Sequence, residues 1–115
     1  MSSYKRSDRV SGWIHRELAT IIRRDLKDPR VGPLSITNVW VSGDLRLARI
    51  DITPLGGGDP TEIVAGLQAA KGFLRHMLGK KLKIRYTPEL HFRPDQHLNN
   101  AVETVIALQS LVGEE

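Results

Sequence analysis

Along this chain the spacing of apolar residues changes from helical to alternating, back to helical, and to alternating once more. Few folds accommodate that order. From about Arg9 to Arg24, the residues Val10, Trp13, Ile14, Leu18, Ile21 and Ile22 recur at helical spacing, with Arg9, Arg16, Glu17, Arg23 and Arg24 off the stripe. The period then becomes two, first over Ser35 to Ser42 and again over Leu45 to Thr53. A second helical stripe (Ile63, Val64, Leu67, Leu74, Met77, Leu78) runs to Gly79, after which Leu82, Ile84 and Tyr86, then Leu90 and Phe92, alternate with charged residues. A helix or a half-buried strand hides only one face. These elements must therefore share a core, as an α+β domain with helices on one face of a small three-stranded sheet.

Local chemistry sets the boundaries. Ser7 is placed to cap the first helix, and Asp28-Pro29 ends it, because proline holds the preceding residue extended. Ser42-Gly43-Asp44 supplies the turn of an antiparallel hairpin. In its second strand Ala48, Ile50 and Ile52 face the core, leaving Arg49 and Asp51 on the open face, with Arg46 and Arg49 solvated. The first strand is ambiguous, since Ile36, Asn38 and Trp40 and the alternate set Thr37, Val39 and Val41 both contain apolar residues. Pro54 to Gly58 is a loop leading into Asp59-Pro60-Thr61-Glu62, a helix start with the cap at Asp59 and proline at the first helical position. Ala70-Lys71-Gly72 interrupts the helix that follows and lets it bend. Pro88 belongs at the start or edge of the third strand. A final helix from about Gln96 to Leu111, capped by Asp95, follows from Leu98, Val102, Val105 and Ile106. Residues 1–95 are thus expected to form one domain, with 96–115 a helix and tail belonging or appended to it.

Charge is the clearest functional signal. The 17 lysines and arginines exceed the 13 acids, giving +4, yet the excess lies in one segment. Six cations fall between Lys71 and Arg85 (Lys71, Arg75, Lys80, Lys81, Lys83, Arg85), and no acid occurs from Ile63 to Pro88. Such a segment is either a solvated basic face or the footprint of a polyanion, and the lack of compensating acids favours the polyanion. A bent helix pair also presents backbone N–H groups at the start of its second half, where the dipole favours anions.

The same stretches resemble a known family. Ala70-Lys71-Gly72 matches the Ala-x-Gly signature at the helix-kink-helix of the bacterial ribosome-binding factor A family, where it replaces the GxxG loop of ordinary KH domains. Leu26 to Gly32, Ile36 to Val39, Val41 to Leu45, Gly72 to Arg75 and Pro88 to Phe92 also look like the family, in register, over about Arg9 to Asp95. The resemblance implies a KH-like type II fold (αββ, α-kink-α, β). It implies binding to the free small (30S) ribosomal subunit and its 16S rRNA during late maturation and rRNA processing, often linked to growth in the cold, and no catalysis. By that route Ala70, Lys71, Gly72 and Arg75 are the expected RNA contacts. Lys80, Lys81, Lys83 and Arg85 are added from charge alone. Nothing is carried over to the segment after Asp95.

The remaining residues are read blandly. Ala70-Lys71-Gly72 could instead be a helix-packing element with no ligand, Phe73 is expected in the core rather than as a stacking platform, and Trp40 has the better claim to exposure. Asp28 and Arg30 are expected to pair locally. His15, His76, His91 and His97 show no metal-ligand spacing, and Gly56-Gly57-Gly58 lacks the Lys-Ser or Lys-Thr of a phosphate-binding loop. No cofactor, metal, catalytic residue or small-molecule substrate is therefore expected. The absence of cysteine, and of an apolar signal or spanning run, fits the cytoplasm. A monomer is expected. The rival reading is a basic module that meets an acidic protein partner, with DNA binding a weaker one.

Overall fold

The computed structural model describes residues 6–82 and 84–95. The elements run α1 (Arg6–Asp25), β1 (Leu34–Val41), β2 (Leu47–Pro54), α2 (Pro60–Ala69), α3 (Lys71–Lys81) and β3 (Glu89–Pro94). Strand order is β1-β2-β3, with β1 antiparallel and β3 parallel to β2. Parallel neighbours cannot be joined by a tight turn, and the α2–α3 pair makes the crossover. The helices cover one face and share a single core with it, giving the expected α+β, KH-like architecture. No described helix is long and apolar enough to cross a membrane. The expected helix over 96–111 lies outside the described residues.

α1 begins earlier than its apolar stripe suggests, and this corrects two expectations. Ser7 lies inside the first turn and is buried, so it does not cap the helix. At roughly 100° per residue, Val10, Ile14, Leu18, Ile21 and Ile22 span an arc of about 120°, with Ser7 in its middle and Trp13 about 60° outside it. Trp13 is accordingly 41% exposed rather than core.

The ambiguity of β1 has a structural cause. Pairing jumps from Ile36↔Ile52 to Asn38↔Asp51, leaving Thr37 as the extra residue of a β-bulge. The bulge switches faces within one strand. Ile36 is buried before it, and Val41 is buried after it with Val39 half-buried, so both alternating sets supply core residues. Trp40 is left 45% exposed.

β2 buries Ala48, Ile50 and Ile52 as expected, but its charged face is not simply solvated. Asp51 is buried, and its Oδ1 accepts from Nε of Arg93 on β3 at 2.6 Å. That bond raises the Arg93 pKa above its ordinary value, so the guanidinium stays charged. Arg49 is half-buried, with its guanidinium 5.0 Å from the centre of the Trp40 ring and its Nε without a hydrogen-bond partner among the described residues. The turn between β1 and β2 is tied by Ser42 Oγ, which donates to Asp44 Oδ1 (2.6 Å) and accepts from the amide of Leu47 (3.0 Å). Its left-handed residue is Leu45 (φ 63°), not the glycine.

Asp59 caps α2 through a 2.9 Å bond from the Thr61 amide to its Oδ1, with Pro60 following it. On the outer side of β3, Gln68 Oε1 accepts from the Phe92 amide at 2.7 Å, so a side chain satisfies what would be a bare strand edge. This bond holds the end of α2, and the corner after it, beside the sheet.

Candidate nucleic-acid interface

The expected bend lies at Ala70. This single residue separates α2 from α3, with φ −94° and ψ 6°. Its N–H is shared between the carbonyls of Gly66 and Leu67, both at 3.1 Å, and its own carbonyl accepts from Leu74 at 2.9 Å. Ala70 is also the residue at the N-cap of α3, and alanine has no side-chain oxygen to offer. No side chain caps α3 and no acid stands in its first turn. The first amides of a helix have no partner within it, so this end is a positive pole without a built-in acceptor.

Gly72 decides between a packing glycine and an open corner. It is exposed, and a Cβ built on it would meet nothing within 4 Å. The packing glycines lie elsewhere: at Gly66 a Cβ would come within 2.6 Å of Val31 Cγ2, and at Gly79 within 2.9 Å of Thr87 Oγ1. A side chain at 66 or 79 would therefore displace a neighbour, most severely at 66. Nothing within the described fold demands glycine at 72.

The cations fall into two groups. Lys71 is exposed at the corner, and Lys80 and Lys81 are exposed in the last turn of α3, about 14 Å further along the axis at 1.5 Å per residue. None of the three forms an ion pair among the described residues. Lys80 and Lys81 also complement the negative end of the helix dipole, a structural role that needs no ligand. Arg75 differs. It is half-buried, and its Nε and Nη2 donate to the carbonyls of Pro88 (3.1 Å) and Thr87 (2.8 Å). It clamps α3 to the segment that enters β3, and carbonyls hold its charge without cancelling it. Arg85 is exposed, its guanidinium 5.5 Å from the centre of the Tyr86 ring. Lys83 lies outside the described residues.

One hydrophobic expectation changes here. Phe73 is 42% exposed, not core, because the buried line of α3 is Leu74 and Leu78, and Phe73 precedes it by about 100° of helix. Tyr86, in the alternating run after α3, is 72% exposed. Asp28 and Arg30 do pair locally, Arg30 Nη2 lying 2.8 Å from Asp28 Oδ2, and these bonds hold the Asp28 carboxyl below the usual carboxylate range. Among the described residues no group of three or more His, Asp or Glu could hold a metal ion. The arrangement is suited to lining up a chain of anions along α3.

Comparison with known proteins identifies the family and the fold. The sequence model of the family described as ribosome-binding factor A matches residues 6–107. A ribosome-binding factor A from Syntrophus aciditrophicus is 48% identical over 96 residues, 83% of this chain and 78% of that protein. Among solved structures, the crystal structure of ribosome-binding factor A from Thermus thermophilus superposes with a TM-score of 0.70 at 24% identity, covering 76% of this chain and 93% of that one, a likeness of fold. A homology model of the Thermus thermophilus protein, fitted into the cryo-EM map of a complex with the 30S subunit, gives a TM-score of 0.63 at 25% identity over 74% of this chain and 90% of that one.

Proposed function

The chain belongs to the ribosome-binding factor A family, and from that premise we propose that it is a non-catalytic, cytoplasmic assembly factor. It binds the free small ribosomal subunit through 16S rRNA during late maturation and rRNA processing. The fitted Thermus thermophilus relative, in complex with the 30S subunit, supports the partner. The observation that carries the reading is Gly72: exposed, uncrowded, and beside an uncapped helix start flanked by Lys71.

In this account the RNA backbone passes the corner at Ala70, Lys71 and Gly72. The first amides of α3 meet a phosphate there, and a missing Cβ allows close approach. Lys80, Lys81, Lys83 and Arg85 continue the positive track, while Arg75 holds the track in shape. Each neutralised phosphate releases counterions, so affinity comes largely from backbone charge and recognition from RNA shape. Residues 1–95 act as the binding domain, as a monomer, with 96–115 part of that domain or appended to it.

Sedimentation of cell extract tests this. The protein should co-migrate with free small subunits and not with translating ribosomes, and ribonuclease digestion should abolish the association. Association that survives digestion would point instead to an acidic protein partner.

A further inference from the structure

A second cavity lies beside Arg75 of α3, on the side of the sheet's β1–β2 turn. The N-terminus of α1, the β1–β2 turn and the segment entering β3 enclose a cavity of about 720 Å³. That volume is within the roughly 300–1,000 Å³ of small-ligand sites. Arg6, Arg46, Arg75 and Arg85 line it against only two carboxylates, Asp44 and Glu89. Asp44 is already committed to its turn: hydrogen bonds from Ser42 Oγ (2.6 Å) and the Arg46 amide (3.1 Å) hold its carboxyl below the ordinary range. None of the four arginines is ion-paired among the described residues, and Arg75 is fixed in place by its two carbonyl partners. The wall also carries Tyr86, 72% exposed and in contact with Arg85.

An exposed aromatic ring beside guanidiniums that form no ion pair among the described residues is a specific combination. Arginine alone would suit any anion, including an acidic peptide. The ring adds a face on which a planar base stacks, and guanidinium groups both stack and grip phosphate. We propose that this cavity receives one unstacked nucleotide of a single RNA strand, with its base on Tyr86 and its phosphate among the arginines. The inference rests on the RNA-binding reading above and adds to it a base contact at Tyr86.

The test uses the full chain, Tyr86→Ala and Tyr86→Phe, with three probes: heptauridylate, uridine monophosphate and free small subunits. Tyr86 is too exposed for either change to threaten the fold. Loss of one stacked base should weaken heptauridylate binding by Tyr86→Ala about 5- to 150-fold. Tyr86→Phe should stay within about twofold of wild type, since the ring alone is required. Equal binding of heptauridylate by Tyr86→Ala and wild type, with small-subunit association intact, would overturn the nucleotide site and leave the assembly function standing. Uridine monophosphate binding as tightly as the heptamer would overturn it in favour of a free-nucleotide pocket. A wild-type chain that bound neither the heptamer nor small subunits would overturn both readings. Tyr86→Ala impairing capture of ribonuclease-stripped subunit proteins, but not of the heptamer, would reassign the cavity to a protein partner.

Discussion

Replacing Lys71, Lys80 and Lys81 together with glutamate is expected to weaken binding to free small subunits by about 100- to 500-fold at 0.1 M salt. The figure follows from counterion release. A contact that neutralises one phosphate contributes a log–log salt slope of about −0.9 on duplex and −0.7 on single strands, or roughly 5- to 8-fold at that salt. Three lost contacts multiply to the stated range and shallow the slope by about 2 to 3. The fold should survive, because all three side chains are exposed and none is ion-paired among the described residues. Glutamates in the last turn oppose the helix dipole and should cost at most about 1 kcal/mol each. Arg75 is left out by design, since its reversal would break the clamp onto Thr87 and Pro88 and confuse folding with binding. Affinity measured across a salt series checks the prediction. An unchanged slope in the triple variant would remove these lysines from the interface.

The largest effect on stability is expected at Arg93. Arg93→Met strands the Asp51 carboxylate, whose side chain is only 8% exposed, with its 2.6 Å partner gone. Leaving one member of a buried pair uncompensated costs about 3 kcal/mol or more, against a total of roughly 5–15 kcal/mol for a domain. Asp51→Ala should cost less, because the Arg93 side chain is 29% exposed and can turn toward water. Arg93→Met combined with Asp51→Leu should recover most of the loss, since an apolar pair of similar volume removes the buried charge altogether. Urea denaturation of the three variants at neutral pH measures this. A cost below about 1 kcal/mol for Arg93→Met would mean that Asp51 is hydrated in solution.

How much of this was legible in the sequence depended on whether the signal was local. Caps and breakers are local: Asp59-Pro60 opens α2, Asp28-Pro29 follows the end of α1, and Ala70 divides α2 from α3 as the pattern indicates. Strand faces were legible in β2 and not in β1, because a one-residue bulge at Thr37 cannot be distinguished from two competing alternations. Partners distant in sequence were not legible. Asp51 meets Arg93 through the parallel register of β2 and β3, and nothing near either residue announces it.

The candidate site divides in the same way. Charge and spacing marked Lys71, Lys80 and Lys81, which are indeed exposed. Arg75 looked equivalent to them from its position, yet the chain reversal at Thr87 and Pro88 brings two carbonyls to it and makes it a clamp. Phe73 reads as core on hydrophobicity, but the buried line of α3 passes beside it, and the alternation that includes Tyr86 lies in a segment between α3 and β3 that joins no sheet. Arg6 and Arg46 join Arg85 only through the tertiary fold. Their convergence could not have been inferred from the order of residues.

The most direct measurement is the affinity of Gly72→Ala for free small subunits, taken together with its melting temperature. Alanine favours helix over glycine by about 1 kcal/mol, and the added methyl meets nothing within the described protein, so the variant should melt higher. It should nevertheless bind at least about tenfold more weakly, equivalent to roughly 1.4 kcal/mol, because the methyl occupies the space into which the RNA backbone comes. A variant that melts higher and binds small subunits as tightly as wild type would contradict the account, leaving Gly72 with no part in the interface.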